Sequence, residues 1–259
     1  MSRCELNDRH LNVYEWLRDM LIRSDFPFGE PIAINDVADR LRVSATPVRE
    51  GLIRLNSEGF LDARARRGFY PKILSVKEMG ELCRLVHMIL VDAVRGLREV
   101  DSGSIGRAIE AGWRDCEQMD AERHLWVYDD ICGTLIGLSH GNITAGIFRN
   151  ASDRTRYLRT IDLETPGLLE QARRHAATLF AAVRLGDASG AVRLLTRDLD
   201  RTLSRLSALV KEGIGRRYIA EGPPAAQASS RARLTDRRAA APAPSPRWSG
   251  TAQRRATPA

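Results

Sequence analysis

Two side chains three residues apart, Thr46 and Arg49, are the first candidates for chemistry in this sequence. They lie early in the stretch Val43-Ser44-Ala45-Thr46-Pro47-Val48-Arg49-Glu50-Gly51-Leu52-Ile53-Arg54-Leu55-Asn56-Ser57-Glu58-Gly59-Phe60, which carries both a helix start and a helix stop. Ser44 and Thr46 are capping types, and Pro47 suits a first-turn position whose N–H has no intrahelical partner. Gly59 suits the exit. Val48, Leu52 and Leu55 at i, i+4 and i+7 form one apolar stripe, so Thr46, Arg49, Glu50, Ile53 and Ser57 face the other way. A helix laid in a major groove presents its N-terminal side chains to base edges. An arginine there can fork onto guanine O6 and N7. Arg64, Arg66 and Arg67, gathered around Gly68, add positive charge suited to phosphate.

The neighbouring elements must place these groups. A lone amphipathic helix would read as a solvated basic face, but its surroundings argue otherwise. Ile34 to Leu41 reads as a second short helix, with Asn35 as its cap and Val37, Ala38 and Leu41 apolar. Arg42 to Ala45 is a turn of helix-turn-helix length. Leu61–Ala65 and Phe69–Ile73 read as short strands joined by Arg66-Arg67-Gly68, a hairpin signal. Residues 10–24, with Leu11, Tyr14, Leu17, Met20 and Leu21 on one side, form a supporting helix. The spacing predicts a winged helix-turn-helix over residues 1–75. Its expected DNA-contacting set is Ser44, Thr46, Pro47, Arg49, Arg54, Arg64, Arg66, Arg67 and Gly68.

Residues 10–75 resemble the winged helix of GntR-family bacterial transcription regulators. The resemblance is carried by Phe28-Gly29-Glu30-Pro31-Ile32, Val37-Ala38, Leu41, Val43-Ser44, Thr46-Pro47-Val48-Arg49-Glu50, Leu52, Leu55, Glu58-Gly59-Phe60 and Arg67-Gly68. Two positions depart from the family pattern. Ala45 stands where the family usually has an arginine, which removes a DNA contact. Gly51 stands where it prefers alanine, at about 1 kcal/mol of helix stability.

Beyond Leu74-Ser75 the pattern is helical almost throughout. Ser75 and Glu78 form a capping box. Apolar periodicity predicts about six helices, over 76–99, 104–118, 121–138, 142–160, from Thr165-Pro166 to Gly186, and from Asp187 to Val210. In the fourth, Ile143, Ile147 and Leu158 are expected inside. Short connections imply an antiparallel all-α bundle over residues 76–215. The fold class is therefore mainly α, a winged helix-turn-helix followed by a bundle. Residues 216–259, rich in Ala, Pro, Ser, Thr and Arg, are expected to be a disordered tail.

Charge is unevenly divided along the 259 residues. The chain carries +7 overall, but residues 1–75 hold 12 Lys+Arg against 11 Asp+Glu and residues 76–210 hold 18 against 19. Residues 211–259 hold 10 against 3, so the excess lies at the C-terminal end. The winged helix is basic by placement, and the tail's Arg pairs at 216–217, 237–238 and 254–255 offer non-specific phosphate attraction. Cys4, Cys83, Cys116 and Cys132 are widely spaced, as in a reduced cytoplasmic protein. No apolar run approaches the ~20 residues of a membrane span.

A bundle after such a head resembles the FCD effector domain of the FadR-type branch. That resemblance implies a homodimer, a pocket for a small metabolite and, in many members, a divalent metal held by one Asp and three His. The positions implied for those ligands are Asp129, Gly133, Ala176 and Asp198 here, so one of the four is retained and the cofactor expectation is none. His175 beside Ala176, or His140 beside Gly141, is the competing rescue. The expected effector-binding set is Arg84, His87, Asp129 and Asp198, with Asp130 nearby. Such a carboxylate-rich lining favours a neutral or cationic ligand, or none.

The expected function is a sequence-specific transcription regulator, by family habit a repressor, binding a double-stranded operator under control of a small effector. The alternative is a degenerate member that no longer reads DNA and serves as a protein-interaction module. No nucleophile elbow, P-loop, HExxH or dinucleotide fingerprint is present, which argues against an enzyme.

Overall fold

The computed structural model describes residues 3–113 and 118–221. Helix α1 spans Arg3–Ile22, α2 Ile34–Leu41 and α3 Ala45–Ser57. Strands β1, Leu61–Arg64, and β2, Gly68–Pro71, pair antiparallel with Leu61 opposite Pro71 and Arg64 opposite Gly68. Six further helices follow: α4 Val76–Gly96, α5 Ser102–Trp113, α6 Ala121–His140, α7 Asn142–Leu163, α8 Leu168–Arg184 and α9 Ala188–Glu221. A 3-10 turn, Leu97–Glu99, extends α4.

The head forms around the stripe expected of α3. Val48, Leu52 and Leu55 are fully buried against Leu17 of α1 and Val37 of α2. Ala33, not Asn35, precedes α2 as its cap residue, because Ile34 and Asn35 are already helical. Ser44 is the N-cap residue of α3, although its side chain makes no capping hydrogen bond. Gly59 closes α3 with φ +85°, a left-handed conformation that glycine adopts freely. The strands are each about a residue or more shorter than their apolar runs suggest, and the wing tip turns through Arg66 and Gly68 at positive φ.

The bundle begins where the capping signal places it, with Ser75 Oγ accepting the Glu78 N–H. Its main core joins Leu90, Ile131, Ile136, Phe148, Phe180 and Leu195 from five helices. A second core joins Met79, Leu158, Leu206 and Val210 near the head. The fourth bundle helix departs from expectation. Ile143 and Ile147 are 83% and 50% exposed, while Asp153 and Arg156 are 4% and 3% exposed. The inward face of α7 is set by Ala145, Phe148, Ala151 and Leu158, and its buried charges are compensated by each other, by Asp129 of α6 and by Arg18 of α1.

The chain divides into one compact unit ending at Arg217 and a second beginning at Tyr218. Helix α9 continues to Glu221, past the tail boundary expected at residue 215. Arg216 pairs with Glu212 and Glu164, and Arg217 donates to the Phe26 carbonyl, so neither belongs to a tail. The expectation of disorder for residues 222–259 concerns a stretch outside the described residues.

Candidate nucleic-acid interface and effector cleft

Thr46 and Arg49 stand exposed on the first turns of α3, as the stripe requires, and Ser44 is exposed just before them. Among the described residues, Arg49 has no hydrogen bond, ion pair or ring contact. Arg66, Arg67 and Gly68 are exposed at the wing tip. These groups are free to meet a ligand without breaking anything in the protein.

Three residues of the expected set also have contacts within the protein. Pro47 is buried, because its position on the helix falls beside Val48 on the core side. It packs the helix start. Arg54 lies 3.8 Å from the centroid of the Tyr14 ring, and its Nε donates to Glu58 Oε1 at 3.0 Å. Glu58 also accepts the Tyr14 hydroxyl at 2.7 Å. Burial first, then this hydrogen bond, push the Tyr14 phenol well up from its ordinary value. Arg54 is therefore part of a clamp between α3 and α1. Arg64 is exposed but lies 4.1 Å from the Tyr70 ring centroid on the facing strand, so its guanidinium is held along the wing.

In the bundle, an open cleft is bounded by α4, α6, α7, α8 and α9. Met79, Leu158, Leu206 and Leu209 give it an apolar wall. His124, His175, Arg159, Asp198 and Arg201 give it a polar one. Of the expected effector set, Asp198 lines this cleft. Arg84 is exposed, its Nη1 lying over Gly80 on the same helix, and neither Arg84 nor His87 lines the cleft. Arg84 follows Cys83, which lines the cleft, but points about 100° away round α4, and His87 lies one turn further along the helix. Asp130 is exposed as well.

Asp129 is buried behind the cleft wall and is fully engaged. Arg159 meets both its oxygens, at 3.0 and 2.6 Å, and Arg156 Nη2 lies 2.8 Å from Oδ2. Ser152 donates to Oδ1 at 3.3 Å. Burial by itself would raise this carboxyl, but Arg159 and then Arg156 outweigh burial and hold it below the usual carboxylate range. Asp198 is paired with Arg201 at 2.8 Å, and Asp162 with Arg205 at 2.7 Å. The carboxylates of the cleft are thus matched by guanidinium groups, which removes the basis for expecting a cationic ligand.

The unsatisfied groups are on the other side of the ledger. His124 Nδ1, His175 Nε2 and Arg159 Nε are buried without a hydrogen-bond partner among the described residues. His124 is 2% exposed, with Trp113 edge-on at 5.6 Å and Tyr128 stacked at 6.4 Å. Burial first, and then the charge of Arg173, push its pKa down to about 4, so the ring is neutral near pH 7. A buried polar atom without a partner costs free energy that a ligand or a water can recover.

The residues do not suit a divalent metal. Asp129 faces two guanidiniums, and a cation beside it would meet their charge. Gly133, one turn on, offers no donor, and a Cβ there would stand 2.9 Å from Arg149 Nε. Among the described residues, no group of three or more His, Cys, Asp or Glu is arranged to hold a metal. His140, the second rescue candidate, lies 2.7 Å from Asp92, away from the cleft. The sequence pattern missed Arg159, His124 and His175 as a group. The one available signal was that Asp129 and Arg159 fall on successive helices flanking a short Gly141 turn.

Comparison with known proteins places these features. The profile described as bacterial regulatory proteins, gntR family, matches residues 9–70, the stretch that holds α3 and most of the wing. The Nta operon transcriptional regulator of Aminobacter aminovorans is 30% identical over 165 residues, covering 62% of this chain and 79% of that one. A solved GntR regulator from Rhodococcus sp. RHA1 superposes with TM-score 0.64 at 18% identity, over 78% of this chain and 98% of its own. E. coli McbR/YncC superposes with TM-score 0.59 at 22% identity, over 77% and 97%. These two structural likenesses speak for the fold, head and bundle together.

Proposed function

The chain belongs to the gntR family of bacterial regulatory proteins, a transcriptional regulator and not an enzyme, and from that premise we propose how it reads DNA and what governs the reading. It binds a near-palindromic operator as a homodimer and acts as a repressor in the cytoplasm. Thr46 and Arg49 enter the major groove while Arg66, Arg67 and Gly68 of the wing approach the phosphates. Two heads on one dimer would meet half-sites about one helical turn apart, or a multiple of it. The observation that carries this reading is the exposed pair Thr46 and Arg49 on α3, with Arg49 unpartnered among the described residues, beside an arginine-tipped wing.

The bundle acts as an effector domain of the FCD type, binding its ligand without a metal. The cleft has a buried donor in want of an acceptor at Arg159 Nε, and buried ring nitrogens without a partner among the described residues at His124 and His175. An effector that brings oxygen acceptors and an apolar body complements both walls. Exposed apolar side chains on two packed helices, Leu85 and Met88 of α4 with Ile143 and Ile147 of α7, suit the face between protomers. Effector binding alters operator affinity by favouring one relative placement of the two heads.

The test is selection of duplexes from a randomised library with the full chain at physiological salt, followed by footprinting of the enriched sequence. Enrichment of a palindrome with two protected half-sites is expected. Binding that stays sequence-indifferent would reject the reading and leave a protein-interaction module as the better account. Calorimetry with a panel of small carboxylates, repeated in a chelator, tests the cleft. Heat that vanishes with the chelator would refute a metal-free site.

A further inference from the structure

Helix α7 has two working faces. On one, Asn150 Nδ2 donates to the Glu58 carbonyl at 3.0 Å, at the exit of α3. On the same side the Arg154 guanidinium packs where a Cβ on Gly59 would stand, and Asp153 binds the guanidinium of Arg18 from α1. On the other side, Thr155 and Arg159 line the cleft. Arg156 joins the two. Its Nη2 lies 2.7 Å from Asp153 Oδ1 and 2.8 Å from Asp129 Oδ2. Its guanidinium sits 3.9 Å from the centroid of the Trp126 ring, which packs against the core of the head.

A continuous chain of charge therefore runs from Arg159 in the cleft through Asp129, Arg156 and Asp153 to Arg18. It ends beside Phe60, whose ring centroid is 6.0 Å from the Arg18 guanidinium carbon. Phe60 directly follows Gly59, so this end of the chain touches the exit of the recognition helix. Three guanidiniums share two carboxylates. In a poorly screened interior, a change at one contact is redistributed over the others.

We propose that Arg156 is a positioning residue through which an occupant of the cleft resets the recognition helix; this rests on the effector reading above. An acceptor brought to Arg159 loosens its fork on Asp129. Asp129 then holds Arg156 more tightly, Arg156 shares less of itself with Asp153, and the grip of Asp153 on Arg18 changes. The same helix holds Glu58 and Gly59 through Asn150 and Arg154, so the shift reaches α3 through two contacts. Nothing in this device requires a long rearrangement, only two arrangements of one ion-pair set.

A double-mutant cycle of Arg159→Gln and Arg18→Gln tests it without any effector, using the duplex recovered by selection with the wild-type chain. Each single variant is expected to shift Kd. The double variant should depart from the product of the two by about three-fold or more, above the roughly two-fold scatter of independent sites. A smaller departure, or no shift in either single variant, overturns the proposal. Arg49→Ala runs in the same titration. Loss of affinity there with an independent cycle removes the joint and leaves the DNA reading intact. No loss at Arg49 removes the DNA reading itself. Should Arg159→Gln lose cooperative unfolding, Arg159→Lys replaces it in the cycle, keeping the charge while breaking the fork.

Discussion

Replacing Arg49 and Arg54 separately by alanine should divide two arginines of one helix into a reader and a clamp. Arg49 is exposed and makes no contact among the described residues. Its removal should leave folding stability within about 0.5 kcal/mol. If it reads a base, its loss costs about 1–3 kcal/mol of specific binding, roughly 5- to 160-fold in Kd. Arg54 is different. Its side chain is 56% exposed, so its 3.8 Å contact with Tyr14 is partly solvated. A ring contact of that kind contributes about 0.5–1 kcal/mol, and the i,i+4 pair with Glu58 about 0.3–0.5 kcal/mol. Arg54→Ala should therefore lower stability by about 1 kcal/mol. It should leave the slope of log Kd against log salt unchanged, whereas removing a phosphate contact reduces that slope by about 0.9. The assay is anisotropy titration of the selected duplex at several salt concentrations, with urea unfolding of each variant. A reduced slope and unaltered stability for Arg54→Ala, with full affinity for Arg49→Ala, would refute the assignment.

Three other perturbations have defined outcomes. The His124 pKa falls from 6.5 to about 4 on folding, so the unfolded chain binds the extra proton and stability is lost as pH drops through that window. From pH 7 to pH 5 the loss should be about 2 kcal/mol, and His124→Gln should flatten it; an unchanged pH profile of the urea midpoint in that variant would count against a neutral buried ring. Gly51→Ala offers about 1 kcal/mol of helix propensity, but the new Cβ would stand 3.0 Å from Leu17 Cδ1 in a fully buried site, where overpacking costs about 1–3 kcal/mol. The variant should be no more stable than wild type, and a raised urea midpoint would show that Leu17 yields freely. Met88→Glu with Ile147→Glu, at positions 65% and 50% exposed, should leave the fold intact and shift sedimentation to a monomer; a persisting dimer would move the interface elsewhere.

The sequence by itself determined the elements whose information is local. The stripe of Val48, Leu52 and Leu55, the Gly59 exit, the arginine-tipped hairpin and the Ser75 cap all follow from spacing and backbone preference. The structure places them within a residue or two of where the pattern puts them. The six bundle helices also stand where a 3.6-residue repeat puts them, because that repeat needs no knowledge of its partner, but their ends are less well marked: α7 runs on to Leu163 and α9 to Glu221, past the ends expected at 160 and Val210. Tertiary structure alone decided which charges lie inside. Apolar periodicity turned α7 the wrong way, since it counts Ile143 and Ile147 as core and Asp153 and Arg156 as surface. Burying those charges depends on partners that sequence distance hides, such as Arg18, 135 residues from Asp153. For the same reason Arg84 and His87 fell outside the cleft while Arg159, His124 and His175 entered it. A buried charge is stable only with its counter-charge, and which counter-charge arrives is a property of packing, not of periodicity.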